Sequence, residues 1–126
     1  MIEVLIPLNP EFKKYESQIK VLYEKNQEKI TDTNTFEFIV ENTLFYVFLY
    51  KKRIIGAVYY FLDNKKLFLN GFAIRKNFYI NLYCLKWSTT WFNCPIYAEA
   101  QNRASALCLL RCGFKRIEKN IFCLDK

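Results

Sequence analysis

Side chains able to do chemistry gather in two stretches of this 126-residue chain. The first is Ile74-Arg75-Lys76-Asn77-Phe78-Tyr79-Ile80-Asn81-Leu82-Tyr83-Cys84. There, Arg75 and Lys76 are point charges able to attract an anion, and Tyr79 and Tyr83 carry phenols, which can donate or accept a proton. The second is Ile96-Tyr97-Ala98-Glu99-Ala100-Gln101-Asn102, an apolar run that ends in polar residues. The Glu99 carboxylate is a residue type that can take up a proton as a general base, directly or through water. A solvated strand-end glutamate is the simpler account of it. Metal chemistry is not indicated: the chain has no histidine and no Cys-x-x-Cys, and Cys108 and Cys112, four apart on one helix, read as small core residues.

These residues need elements to hold them. Asn102 is a good helix N-cap, because its side-chain oxygen can accept an otherwise unpaired N–H of the first turn. Gly113 suits the left-handed position that closes a helix. Between them Ala106, Leu109 and Leu110 recur at helical spacing with Cys112 close behind, and Phe114 opens a new apolar run. Upstream, Ile2 to Leu8 reads as a first strand. Asn9-Pro10-Glu11 then starts a helix whose buried face is Phe12, Tyr15, Ile19 and Leu22. Asn26 to Asn34 is polar and reads as a loop, after which Thr33 or Thr35 caps a short helix through Phe36, Ile39 and Val40. From Leu44 the period changes. Leu44 to Tyr50, Arg53 to Leu62 and Lys66 to Ile74 are rich in β-branched and aromatic residues, with turns at Lys51-Lys52 and Asp63-Asn64-Lys65. A helix is expected from Ile80 to Phe92 with Ile80, Cys84, Trp87 and Trp91 on one side. Strands follow at Ile96, at Phe114 to Glu118 and at Ile121 to Leu124, giving the order βααβββαβαββ.

Composition bounds the rest. Hydrophobic residues make up 52% and aromatics 18%, too apolar for disorder and enough for one domain over residues 1–126. The net charge of +7 favours acidic partners, an anionic cofactor among them, but no reader motif for nucleic acid accompanies it. Five cysteines, no secretory leader and no apolar stretch of membrane-spanning length point to reduced thiols in the cytoplasm and to no membrane association. Trp87 and Trp91 are core residues, or interface anchors if their helix lies at the surface.

The unit from Ile96 to Phe114 resembles the C-terminal motif of the GNAT superfamily of acetyl-CoA-dependent N-acetyltransferases. Asn102, Gly113 and Phe114 stand at that family's spacing, and Ser105 takes its small-residue place. Lys51-Lys52-Arg53-Ile54-Ile55-Gly56-Ala57-Val58-Tyr59 is similar to the family's hairpin, whose strand begins apolar-apolar-Gly. The likeness spans roughly residues 45 to 124. It implies a GNAT-like α/β fold, a mixed and mostly antiparallel sheet with helices on both faces. It also implies coenzyme A contacts at Phe72, Ile74, Arg75, Lys76, Asn77, Asn81 and Asn102, an oxyanion held by backbone N–H groups around Phe72 to Ile74, and Glu99 as base.

Two of the family's elements are replaced. Its phosphate-binding loop is glycine-rich so that backbone N–H groups can approach a pyrophosphate, yet residues 74–84 hold no glycine. Where family members carry a tyrosine as acid for the departing thiolate, this chain has Leu109, leaving Tyr79 or Tyr83 to supply a phenol. The pattern is similar to small GNAT-like proteins of short-tailed bacteriophages. The resulting expectation is a non-catalytic virion or assembly module that uses the scaffold for protein contacts or self-association and takes no cofactor. The alternative is an acetyl-CoA-dependent N-acetyltransferase acting on a primary amine.

Overall fold

The computed structural model describes residues 1–27, 34–73 and 78–126. Its elements are β1 (Ile2–Leu5), α1 (Phe12–Gln27), α2 (Phe36–Asn42), β2 (Leu44–Tyr50), β3 (Arg53–Asp63), β4 (Lys66–Ala73), α3 (Phe78–Thr89), β5 (Ile96–Glu99), α4 (Arg103–Arg111), β6 (Lys115–Arg116) and β7 (Ile121–Leu124). The strands form one seven-stranded sheet in the order β1-β2-β3-β4-β5-β7-β6. Both the element order and the α/β class match the sequence-based expectation.

The three-strand meander follows from local chemistry. β2, β3 and β4 are neighbours joined by two-residue turns at Lys51-Lys52 and Asn64-Lys65, and all four turn residues have φ between 51° and 66°. Two successive left-handed residues match the twist of paired strands, but lysine tolerates that conformation poorly. Lys65→Gly would complete the favoured Asn-Gly pair. It is expected to raise stability by about 1 kcal/mol, read as a higher urea midpoint at unchanged slope.

Several boundaries differ from the periodic pattern. β1 stops at Leu5, and Asn9 caps a turn rather than the helix: its Oδ1 accepts from Glu11 N at 2.9 Å, and α1 begins at Phe12. Thr35 caps α2, its Oγ1 accepting from Phe38 N at 3.1 Å, while Thr33 lies outside the described residues. β6 is only Lys115–Arg116. Helix α3 starts at Phe78 and ends at Thr89, leaving Trp91 in the turn beyond. Three hydroxyls explain that end. Ser88, Thr89 and Thr90 each donate to the carbonyl three residues back, which satisfies the last turn without further helix. The Lys126 ammonium donates to the carbonyls of Thr89 and Phe92, a cation where the helix dipole is negative.

The chain divides into two compact units. In the first, residues 1–59 with 71–76, the core is aromatic. Phe45 of β2 meets Phe12 edge-on at 6.3 Å, Phe36 edge-on at 6.0 Å and Tyr59 in a stack at 6.0 Å. Tyr23 packs on Phe36, and its hydroxyl donates to Asn34 O at 2.8 Å. It is fully buried, whereas Tyr15 and Leu22 are half-buried, so the inner face of α1 is rotated towards Tyr23. Gly71 is required by close approach: a Cβ there would lie 2.7 Å from Ala57 O.

The second unit comprises residues 60–70 and 77–126. Leu67, Leu69, Ile96, Ala98 and Phe122 are buried across β4, β5 and β7. Tyr60, fully buried, meets Phe92 at 4.3 Å and bonds Ser88 Oγ at 2.7 Å. Because Ser88 Oγ already donates to Leu85 O, the phenol is the donor to it. Ser88→Ala would therefore remove the acceptor that the buried Tyr60 hydroxyl meets, at an expected cost of about 1–3 kcal/mol. Tyr60→Phe should cost less, and a double-mutant cycle measured by urea unfolding would show the coupling.

Candidate functional site

β5 and α4 position the clearest candidates. β5 pairs in parallel with β4, matching Leu67 with Ile96, Phe68 with Tyr97 and Leu69 with Ala98, and on its other side runs antiparallel to β7. It ends at Glu99, while β4 continues to Ala73. Glu99 is exposed, and its carboxylate has no ion-pair or hydrogen-bond partner among the described residues. Its backbone sits opposite Ile121, and the chain is pinned just beyond by Ala100 N donating to Asn120 O at 2.8 Å.

Asn102 is the N-cap of α4, as expected. Its Oδ1 accepts from Ser105 N at 2.9 Å, while Ser105 Oγ accepts from Asn102 N at 3.1 Å and from Gln101 N at 3.0 Å. This reciprocal cap uses Ser105 for more than its small size, and a serine three residues after the cap was the available signal. Asn102 Nδ2 has no partner among the described residues. At the other end Gly113 has φ 95°, with Gly113 N donating to Leu110 O and Phe114 N to Leu109 O. That bond pair defines the glycine-closed end of a helix, which sets the residue after the glycine beside Leu109's position. Leu109 and Phe114 are accordingly buried, at 5% and 2% exposure, so Leu109 serves the core.

The other candidates are dispersed. Tyr83 is exposed on α3, its ring 6.1 Å from Trp87. Trp87 meets Trp91 edge-on at 5.4 Å, and both are half-buried. Asn81 is half-buried on the same helix. Phe72 lies in β4 and Tyr79 in the first turn of α3, but their side chains fall outside the described set, as do residues 74–77 with Ile74, Arg75, Lys76 and Asn77. No hydrogen bond, ion pair or ring contact joins Glu99, Asn102 and Tyr83 among the described residues.

Sequence reasoning passed over Tyr97. Alternation along β5 puts it on the same face as Glu99, half-buried, with the Lys66 ammonium 5.0 Å from its ring centre. Charge on the neighbouring Cys123 thiol, then burial, push its phenol above the ordinary value of 10.0. It therefore stays protonated at neutral pH and competent to donate. Its pairing with Cys123 across the ladder is a long-range feature that no local pattern carries.

The cysteines are free thiols. Burial pushes Cys84 and Cys112 from 9.0 up to about 11, which keeps them neutral and unreactive. Cys94 is exposed and should be the first thiol labelled by an aromatic disulfide reagent in the native protein. For a thiol raised on folding, stability is intact below the unfolded value and lost as pH climbs through the folded one. The chain should thus lose stability between about pH 9 and 11, with a shallower loss in Cys84→Ala/Cys112→Ala, followed by urea midpoints.

No protein-family model matches the chain, and no curated protein matches it in sequence. Solved structures do match. An N-acetyltransferase from Staphylococcus aureus Mu50 shares 14% identity with a TM-score of 0.73, covering 99% of this chain and 97% of that one. The ribosomal-protein-S5-alanine acetyltransferase of Vibrio fischeri shares 12% at a TM-score of 0.74, covering 99% and 92%. The Bacillus subtilis N-acetyltransferase YlbP, solved in complex with coenzyme A, shares 13% at 0.62, covering 100% and 97%. The chain has the GNAT N-acetyltransferase fold. The GNAT likeness covers essentially the whole chain, beyond the two-thirds that its motifs mark. All three of these relatives in fold are acetyltransferases, and none of them supports a bacteriophage or virion role. Among the described residues no helix of this GNAT-fold chain is long and apolar enough to cross a membrane.

Proposed function

We propose that the chain is an acetyl-CoA-dependent N-acetyltransferase acting on a primary amine. The observation that carries this reading is the full-length GNAT fold, shared with proteins solved with acetyl coenzyme A or coenzyme A bound. The donor set suits an anionic nucleotide. Residues 64–98 contain Lys65, Lys66, Arg75, Lys76 and Lys86 and not one carboxylate. Lacking a glycine loop, the chain would hold the phosphates with Arg75 and Lys76, assisted by Asn77, Asn81 and the start of α3, and the pantetheine arm with Asn102 Nδ2. Backbone N–H groups from Phe72 to Ile74 would stabilise the carbonyl oxygen as charge develops on it. Glu99 removes the ammonium proton, and the amine nitrogen bonds to the acyl carbon as the carbon–sulfur bond breaks. The departing thiolate takes a proton from Tyr79, Tyr83 or Tyr97.

A second reading, a non-catalytic module for protein contacts, is favoured by one feature. Leu109 is buried where family members carry the acidic tyrosine, and a leucine has no proton to give. Calorimetric titration of acetyl-CoA at low and higher salt separates the two. Micromolar binding with a gain in melting temperature, followed by acetylation of a primary amine, supports the transferase. No heat and no thermal shift would sink it and leave the scaffold reading.

A further inference from the structure

The net charge of the chain is unevenly placed. Residues 1–63 carry eight cations and nine carboxylates, whereas residues 64–126 carry eleven cations and three carboxylates. Arginine is uncommon here, five residues against fourteen lysines, yet three of the five lie between 103 and 116. In the second unit two of them flank an apolar strip on α4, and the third lies on β6, the strand beside that helix. Along α4, Arg103, Leu107, Leu110 and Arg111 fall on one outward arc, opposite the buried Leu109 and Cys112. Leu107 is 44% exposed and Leu110 50%. β6 packs beside α4 and adds Arg116, whose guanidinium is seated 5.3 Å from the centre of the Phe122 ring. None of the three arginines has an ion-pair partner among the described residues.

We infer that this α4–β6 surface docks an acidic amphipathic segment of a partner protein. Charge and shape together select such a partner. Arginine, unlike the lysine this chain otherwise uses, presents a planar fork that pairs two-pronged with a carboxylate and loses little hydration in doing so. Two such forks flanking two half-exposed leucines, with a third on the neighbouring strand, match a helix with aliphatic residues on one side and glutamates or aspartates along its margins. A nucleic acid strand would satisfy the arginines but set its phosphates against the leucines. A second copy of the same face would bring like charges together. The surface lies outside the residues assigned to acyl transfer, so the inference stands whether or not the chain is a transferase.

The test uses the intact chain and a labelled helical peptide with leucines on one face and glutamates flanking them, followed by fluorescence anisotropy. Controls are a scrambled peptide of the same composition, a single-stranded oligonucleotide and phosphatidylglycerol vesicles. The patterned peptide should bind, more weakly as salt rises. Affinity should fall about tenfold in Arg111→Glu/Arg116→Glu and again in Leu107→Ser/Leu110→Ser, with circular dichroism unchanged. Because the leucines are exposed, both variants are expected to fold; should the serine pair not, the charge-reversed pair alone decides. Equal binding of the scrambled peptide, preference for the oligonucleotide or the vesicles, indifference to the charge reversal, or no binding at all would each overturn the inference.

Discussion

Phe45→Ala is expected to remove about 4 kcal/mol of stability, a large share of the roughly 5–15 kcal/mol available to a domain of this size. Phe45 is 2% exposed and is the ring on which Phe12 of α1, Phe36 of α2 and Tyr59 of β3 all converge. Truncation removes three ring contacts at once and leaves a void that three separate elements would have to move to fill. The loss therefore includes a cavity contribution beyond the transfer of the ring itself. Thermal unfolding should shift down by about 10–20 °C, measured by circular dichroism. Phe38→Ala is the matched control. Phe38 is 49% exposed on α2, and its truncation should change the midpoint little. If the two variants lost stability equally, the convergence on Phe45 would not be what holds the first unit together.

The second large effect is on coenzyme binding. Arg75→Ala combined with Lys76→Ala should raise the acetyl-CoA dissociation constant about ten- to hundredfold with an unchanged melting temperature. The physical reason is the missing glycine loop. Where a backbone nest holds a pyrophosphate, side-chain cations share the task. In this chain residues 74–84 contain no glycine, so on the proposed transferase reading the cations would carry it. The fall in affinity should shrink at high salt, because the lost interaction is largely charge on charge. Calorimetry on the double variant reads this directly, and equal affinity in wild type and variant would remove Arg75 and Lys76 from the site.

How legible each feature was depends on how local its cause is. The meander could be read because β-branched and aromatic runs are separated by two-residue polar turns, and both turns fall where the sequence placed them. Helix α4 was legible at both ends, since Asn102 and Gly113 act through bonds to residues three to five positions away. The far end of α3 was not: Trp91 continues the apolar period, yet hydroxyls at Ser88, Thr89 and Thr90 close the helix first. Among site residues, Glu99 and Asn102 stand at the strand end and helix cap expected of them. The shared face of Tyr97 and Glu99, with Cys123 paired alongside, came from strand register and from no motif.

By itself, then, the sequence determined the element order, the turns, the caps of α4 and the α/β class, because each rests on backbone chemistry within a few residues. Only the tertiary structure decided which tyrosines are buried and what their hydroxyls meet, as with Tyr60 and Ser88, twenty-eight positions apart. It also decided that Leu109 serves the core while Leu107 and Leu110 stand exposed on the outer arc of α4 with Arg103 and Arg111. Those outcomes depend on strand pairing and helix packing between distant segments, and a tyrosine or an arginine has the same identity in the sequence whichever neighbour the fold assigns it.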